Sequence, residues 1–242
     1  MAAPNPPPAR VAGRARGWFA CNAAVAWIGV LLQLVLSIGG FYPSTQSVPS
    51  AVGYANLDGA AGAFGRVADN LSYFTIWSNI VVAVVLTVLA LRPGADSPLL
   101  RVLRLDTLLM ITITGLVYAV VLAPGAEPLQ GWQVAGNFFV HQATPVVTVV
   151  VWLVVGPRGW IRWSTIPSAL ILPIVWLVYT LIRGAVIDAY PYGFLDVIRH
   201  GYGTVLLNVV GVLVLGLLVC AVLLAVDRWL TRGRRDRDAR QG

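Results

Sequence analysis

Asn137-Phe138-Phe139-Val140-His141-Gln142-Ala143-Thr144-Pro145 leads into residues 146–155, which are Val, Thr, Trp and Leu only. The uncharged run 137–155 is close to the roughly 20 residues a helix needs to cross a bilayer. Asn137 and His141 stand four positions apart, so on a helix they share one face about a turn apart. An ionisable side chain held in a membrane span is costly enough to mark a functional site. The plainer alternative is a neutral histidine hydrogen-bonded to a neighbouring helix.

The rest of the chain has the same character. Of 242 residues 58% are hydrophobic and 11% charged, far below the roughly 25% charged residues of ordinary globular proteins. The composition fits a polytopic membrane protein and leaves no room for a soluble domain. Five further apolar runs accompany 137–155, at residues 18–40, 71–91, 106–123, 164–182 and 203–226. The expected fold is all-α, a six-transmembrane-helix bundle at residues 18–227, with a disordered tail at 1–17 and an Arg-rich tail at 228–242. The first run is too long for the apolar region of a cleaved signal. Pro167 and Pro173 are candidate kinks in the fifth helix, and a short helix is expected around residues 62–69 within the loop 41–70.

The net charge of +7 comes entirely from Arg among the basic residues. These lie at the ends of apolar runs and in the tails, not interleaved with aromatics on one face, so nucleic acid is not the expected partner. Fourteen of the seventeen fall on the side of the tails, and only Arg66, Arg183 and Arg199 on the other. The positive-inside rule then makes both termini cytoplasmic and places the Asn137 end outside, with anionic inner-leaflet lipids as partners of the Arg-rich tails. The expected location is a plasma membrane, as a multi-pass protein.

The second helix opens with Ser72-Tyr73-Phe74-Thr75-Ile76-Trp77-Ser78-Asn79, unusually polar for a span. Thr75 and Asn79 repeat the spacing of Asn137 and His141. Helices two and four both start from the outer side, and Thr75 and His141 each fall about four residues past the expected starts, which matches their depths. The loop Asp188-Ala189-Tyr190-Pro191-Tyr192-Gly193-Phe194-Leu195-Asp196 belongs to the same leaflet, and its contiguous aromatics are expected to fold over the mouth of the site. The cytoplasmic half reads as almost purely aliphatic.

A hydroxyl becomes a nucleophile when a base accepts its proton and dipoles stabilise the oxyanion. Thr75, His141 and the amides of Asn79 and Asn137 supply those parts. Alternatively, Thr75 hydrogen-bonds its own helix backbone, as threonine in membrane helices commonly does. Two histidines, His141 and His200, are too few for a three-ligand metal centre and give poor support to a bis-His haem, so no metal or cofactor is expected. Cys21 and Cys220 read as buried small hydrophobes.

Three segments together resemble a known family. Phe74-Thr75-Ile76-Trp77-Ser78-Asn79, Asn137 with His141 and Pro145, and Tyr190-Pro191-Tyr192-Gly193-Phe194-Leu195-Asp196 are similar to the threonine, histidine and Tyr-Pro-Phe-Leu-acidic segments of the androgen-induced protein family. The chain resembles its prokaryotic six-transmembrane branch. Eukaryotic members hydrolyse fatty acid esters of hydroxy fatty acids. Phe138 departs from the pattern, standing where those members carry a second histidine, and Gln142-Ala143 replaces hydroxyl-bearing residues.

The resemblance implies a threonine-dependent hydrolase of a lipid ester, with Thr75 and His141 catalytic. Asn79 and Asn137 would serve as oxyanion or orienting groups, and Tyr190, Tyr192, Phe194 and Asp196 as lid or substrate-binding residues. A membrane protein that binds lipid or a partner subunit without catalysis is the alternative.

Overall fold

The computed structural model describes residues 9–42, 50–53, 56–126 and 128–241. Among the described residues there are helices and connecting turns but no strand, apart from an isolated bridge between Ala51 and Tyr190. The helices are α1 (Ala9–Gly39), α2 (Ala63–Asn70), α3 (Phe74–Leu91), α4 (Pro98–Val117), α5 (Trp132–Phe138), α6 (Thr144–Val155), α7 (Ile166–Ala169), α8 (Ile171–Ile187) and α9 (Val197–Gln241). A π-helical turn, Tyr118–Leu122, prolongs α4, and another, Phe139–Ala143, joins α5 to α6 in one rod. Six of these rods are long and apolar enough to cross a membrane.

The short helix expected in the first loop is α2. The interruption in the fifth rod falls at Leu170, between α7 and α8, because Pro173 has no N–H to return to the Ala169 carbonyl. Residues 1–8 of the expected tail lie outside the described residues, and α1 already starts at Ala9. The segment after residue 227 continues α9 to Gln241.

Other helix starts also differ from the sequence reading: α3 begins at Phe74, not Leu71, α9 at Val197, not Gly203, and two further rods start earlier than expected. Helix three begins at Pro98, not Asp106, because Ser97 caps it: its hydroxyl accepts the Leu100 N–H at 3.1 Å, and Pro98 occupies a first-turn position where no N–H is needed. Helix four begins at Trp132, not Asn137.

The earlier start of α4 carries Arg104 into the core, where it is 2% exposed. The aliphatic reading of the Arg-rich half is therefore corrected. Arg104, Asp106, Thr107 and Asp227 are all buried there, and so are Asn22 and Thr148 between α1 and α6. Asn22 accepts a hydrogen bond from the Thr148 hydroxyl at 3.1 Å, and Asp227 accepts from the Gly159 and Ile161 amides.

The bundle is not evenly packed. Helix α1 lies along α3, α3 against α4, and α4 against α6 and α9, whereas α8 and α9 make little close backbone approach to each other. Their shared apolar cluster is completed by the loop between them, through Tyr192 and Leu195 against Trp176 and Val205.

Candidate active site

The π-helical turn at Phe139–Ala143 follows from Pro145. Lacking an N–H, Pro145 leaves the His141 carbonyl without its helical donor, and the chain widens by one residue just before it. The Thr144 N–H then reaches the Phe139 carbonyl, so the Val140 carbonyl also loses its usual partner. Asn79 supplies a replacement across the helix gap, donating at 3.0 Å to Val140 and at 2.8 Å to the Thr75 carbonyl. Both amide hydrogens of Asn79 are thereby used on backbone carbonyls, which leaves neither to donate elsewhere.

Close approach on both sides holds the turn in place. A Cβ on Gly115 of α4 would sit 3.1 Å from Pro145 Cβ, and one on Gly29 of α1 would sit 3.1 Å from Val140 Cγ1. A side chain at either glycine would have to push its neighbour on the widened turn aside by a few tenths of an ångström.

His141 projects from this turn toward α3. Its Nε2 lies 3.1 Å from the Thr75 hydroxyl and its Nδ1 2.8 Å from Asn137 Oδ1. Asn137 in turn donates to the Tyr118 hydroxyl at 2.6 Å, and the Tyr118 ring stacks on the imidazole with centroids 4.2 Å apart. With its amide oxygen toward the ring, Asn137 places the imidazole proton on Nδ1 and leaves Nε2 as an acceptor for the Thr75 hydroxyl. The result is a Thr75–His141–Asn137 chain with the geometry of a nucleophile, a base and an orienting group.

Thr75 is the second residue of α3, so its N–H belongs to the four that a helix leaves unbonded. That N–H points to the Tyr192 hydroxyl at 3.4 Å, and the same phenol lies 3.3 Å from Thr75 Oγ1. Other threonines, such as Thr87, Thr107 and Thr231, donate back to their own helix. The Thr75 hydroxyl bonds instead to His141 and Tyr192. Burial pushes the Tyr192 phenol above its ordinary pKa, against the backbone N–H groups of Thr75 and Phe74 that lower it, so it stays a donor at neutral pH.

The loop from Tyr190 to Asp196 packs onto the bundle, with Tyr190, Tyr192, Leu195 and Asp196 buried. Its residues divide in role. Tyr190 exchanges backbone hydrogen bonds with Ser50 and Val52, and Asp196 accepts from the Ser50 hydroxyl and the Arg199 amide, so both hold the loop in place. Tyr192 reaches Thr75, and Phe194 stacks on Tyr192 with centroids 5.3 Å apart. His200 is exposed.

Thr75, Leu122 and Tyr192 lie on the wall between two cavities. A wider chamber of about 570 Å³, more polar than the slit, extends toward α2 and the loop ends, past Gln33, Tyr42, Asn70 and Asn137. A narrow apolar slit of about 80 Å³ runs the other way between α8 and α9, past Leu122, Ile174, Leu177 and Leu213. The chamber falls within the 300–1,000 Å³ range typical of small-molecule sites. No group of His, Cys, Asp or Glu suited to a metal occurs among the described residues.

No family model, curated protein or solved structure matches this chain.

The sequence reading missed Tyr118. It lies in the apolar run Leu116-Val117-Tyr118-Ala119-Val120, with Thr114 as its one polar neighbour at helical spacing. The one available signal was a lone phenol in a span, whose hydroxyl must find a partner when buried.

Proposed function

We propose that this chain is a membrane-embedded hydrolase of lipid esters in which Thr75 is the nucleophile and His141 the general base. The observation that carries the reading is the continuous chain from Thr75 Oγ1 through His141 to Asn137 Oδ1, set where the wider, more polar chamber meets the apolar slit. The resemblance of the three site segments to the androgen-induced hydrolases points the same way.

In this mechanism His141 Nε2 takes the Thr75 proton as Oγ1 bonds to the ester carbonyl carbon. The oxyanion is met by the Tyr192 hydroxyl at the N-terminal end of α3, where the helix dipole favours negative charge. Collapse breaks the carbon–oxygen bond to the alcohol, which leaves with the proton held on His141. Water then attacks the threonyl ester, gives a proton to His141, and releases the fatty acid as that proton returns to Thr75. Asn137 holds the imidazole in the required tautomer throughout, and Tyr118 holds Asn137.

The Arg distribution supports an outward-facing site in a plasma membrane, with the Arg-rich tails against anionic inner-leaflet lipids. Purified protein in lipid nanodiscs should release fatty acid from a long-chain ester, and Thr75→Ala and His141→Gln should each abolish the release. Binding of the ester without turnover would favour the non-catalytic alternative.

A further inference from the structure

Four tyrosines, Tyr42, Tyr73, Tyr118 and Tyr192, line the chamber among the described residues. Three of their hydroxyls are engaged. Tyr42 donates to Gln33 Oε1 at 2.6 Å, Tyr118 accepts from the Asn137 amide at 2.6 Å, and Tyr192 lies against Thr75. The Tyr73 hydroxyl has no hydrogen-bond partner among the described residues. A desolvated hydroxyl left unpaired is costly, so an unused donor on a cavity wall is a place for a ligand to bond.

The turn between α2 and α3 fixes this residue. The Ser72 and Tyr73 amides donate to the Asp69 and Asn70 carbonyls, and the Trp176 indole N–H donates to the Ser72 carbonyl at 3.0 Å. Tyr73 itself is extended, with φ −78° and ψ 131°, at the position before α3, and its ring meets the Tyr192 ring edge to face with centroids 5.5 Å apart. It lines the chamber and not the slit, whereas Thr75 and Tyr192 line both. The groups whose charge bears on its hydroxyl are Tyr192, Asp69 and Tyr42, all on the chamber wall. Burial, aided by these neighbours, pushes the phenol above its ordinary pKa, so it keeps its proton and is a donor at neutral pH. Asp69 does not use that donor: its two carboxylate oxygens accept from Arg183 at 2.5 Å and from Asn56 at 2.6 Å.

We infer that Tyr73 is a specificity-determining residue of the proposed hydrolase, donating a hydrogen bond to an oxygen acceptor on the part of the ester that occupies the chamber. The inference rests on the hydrolase reading. The acceptor lies outside the ester group, because Tyr192 and not Tyr73 stands beside Thr75 Oγ1. A hydroxyl and a carboxylate offer the same acceptor chemistry, and the test separates them. An ester without such an oxygen would leave the Tyr73 hydroxyl unpaired, and sites built to hydrogen-bond a substrate discriminate against analogues that lack the group.

The test compares wild type with Tyr73→Phe, which keeps the ring on Tyr192, using the oleate esters of octadecanol, glycerol and a hydroxystearic acid in neutral-lipid nanodiscs. Only the octadecyl ester has no oxygen beyond the ester group. Tyr73→Phe should lower kcat/KM about tenfold on at least one of the two oxygen-bearing esters and leave the octadecyl ester unchanged. Loss on the glyceryl ester identifies a hydroxyl as the acceptor, loss on the hydroxystearate ester a carboxylate, and loss on both an acceptor of either kind. Labelling of Thr75 by a fluorophosphonate should proceed in the variant at the wild-type rate. A matching loss on all three esters, or slowed labelling, would make Tyr73 a packing support for Thr75. No loss on any ester would leave its hydroxyl to solvent. Each of these results overturns the inference while the hydrolase reading stands. Failure of the wild type to turn over any of the three overturns both.

Discussion

His141 Nε2 stands 3.1 Å from the Thr75 hydroxyl although the two residues sit at different distances from their helix starts. Thr75 is the second residue of α3, whereas His141 follows Trp132, the first residue of α5, by nine positions. The α5 rod therefore rises well beyond the start of α3, and the widened turn before Pro145 swings the imidazole across to it.

Orientation by Asn137 is the first consequence open to measurement. In Asn137→Ala the imidazole loses its tautomer-fixing acceptor, and kcat for ester hydrolysis should fall about 10²-fold with KM little changed. Tyr118→Phe removes only the 2.6 Å support of Asn137 and should cost about tenfold. Wild-type rates in Asn137→Ala would remove Asn137 from the mechanism.

Tyr192→Phe keeps the ring that packs on Trp176 and Phe194 but deletes the hydroxyl beside Thr75. Loss of one oxyanion donor typically costs about 10²–10³ in kcat, and thermal stability in detergent should be nearly unchanged. If kcat survives and KM rises instead, Tyr192 belongs to substrate binding alone.

The pH dependence of that difference has a definite sign. Burial raises the Tyr192 pKa, so the phenol keeps its proton beyond the ordinary value near 10 and remains a donor. The ratio of wild-type to Tyr192→Phe rates should stay constant from pH 7 to about pH 10. A ratio that collapses toward one between pH 8 and 9 would show the phenol ionising there, contrary to its burial.

Arg104 makes a prediction at the opposite end of the bundle. It is 2% exposed, and none of its three guanidine-group nitrogens has a hydrogen-bond partner in the structure. Burial of an unpaired charge is destabilising, and replacement by an apolar side chain of similar volume often stabilises by about 1–4 kcal/mol. Arg104→Met should therefore raise the unfolding midpoint in detergent and leave Thr75 labelling intact. A lowered midpoint would indicate that Arg104 gains a partner from the membrane.

Legibility in the sequence varied with how local the cause was. Six apolar runs, with Arg concentrated in the turns and tails of one side, were enough for the helix count, because membrane spans need little more than length and hydropathy. The polar residues at 75, 79, 137 and 141 stood out against aliphatic surroundings, and four-residue spacing set each pair on one face. Boundaries were harder. Ser97 with Pro98 is a start signal visible in the sequence, yet the Arg residues that follow suggested a turn in water, and Arg104 was placed outside the core. The widened turn before Pro145, the use of both Asn79 hydrogens on carbonyls, and the stacking of Tyr118 on His141 depend on neighbours from other helices, which no periodicity encodes.

The identity of the residue that forms a covalent bond tests the central claim most directly. Wild-type protein in nanodiscs, treated with a fluorophosphonate and mapped by peptide mass spectrometry, should carry a single adduct on Thr75, and His141→Gln should lose it at equal protein concentration. An adduct on another residue, or one on Thr75 that forms as fast without His141, would contradict the proposed pairing of nucleophile and base.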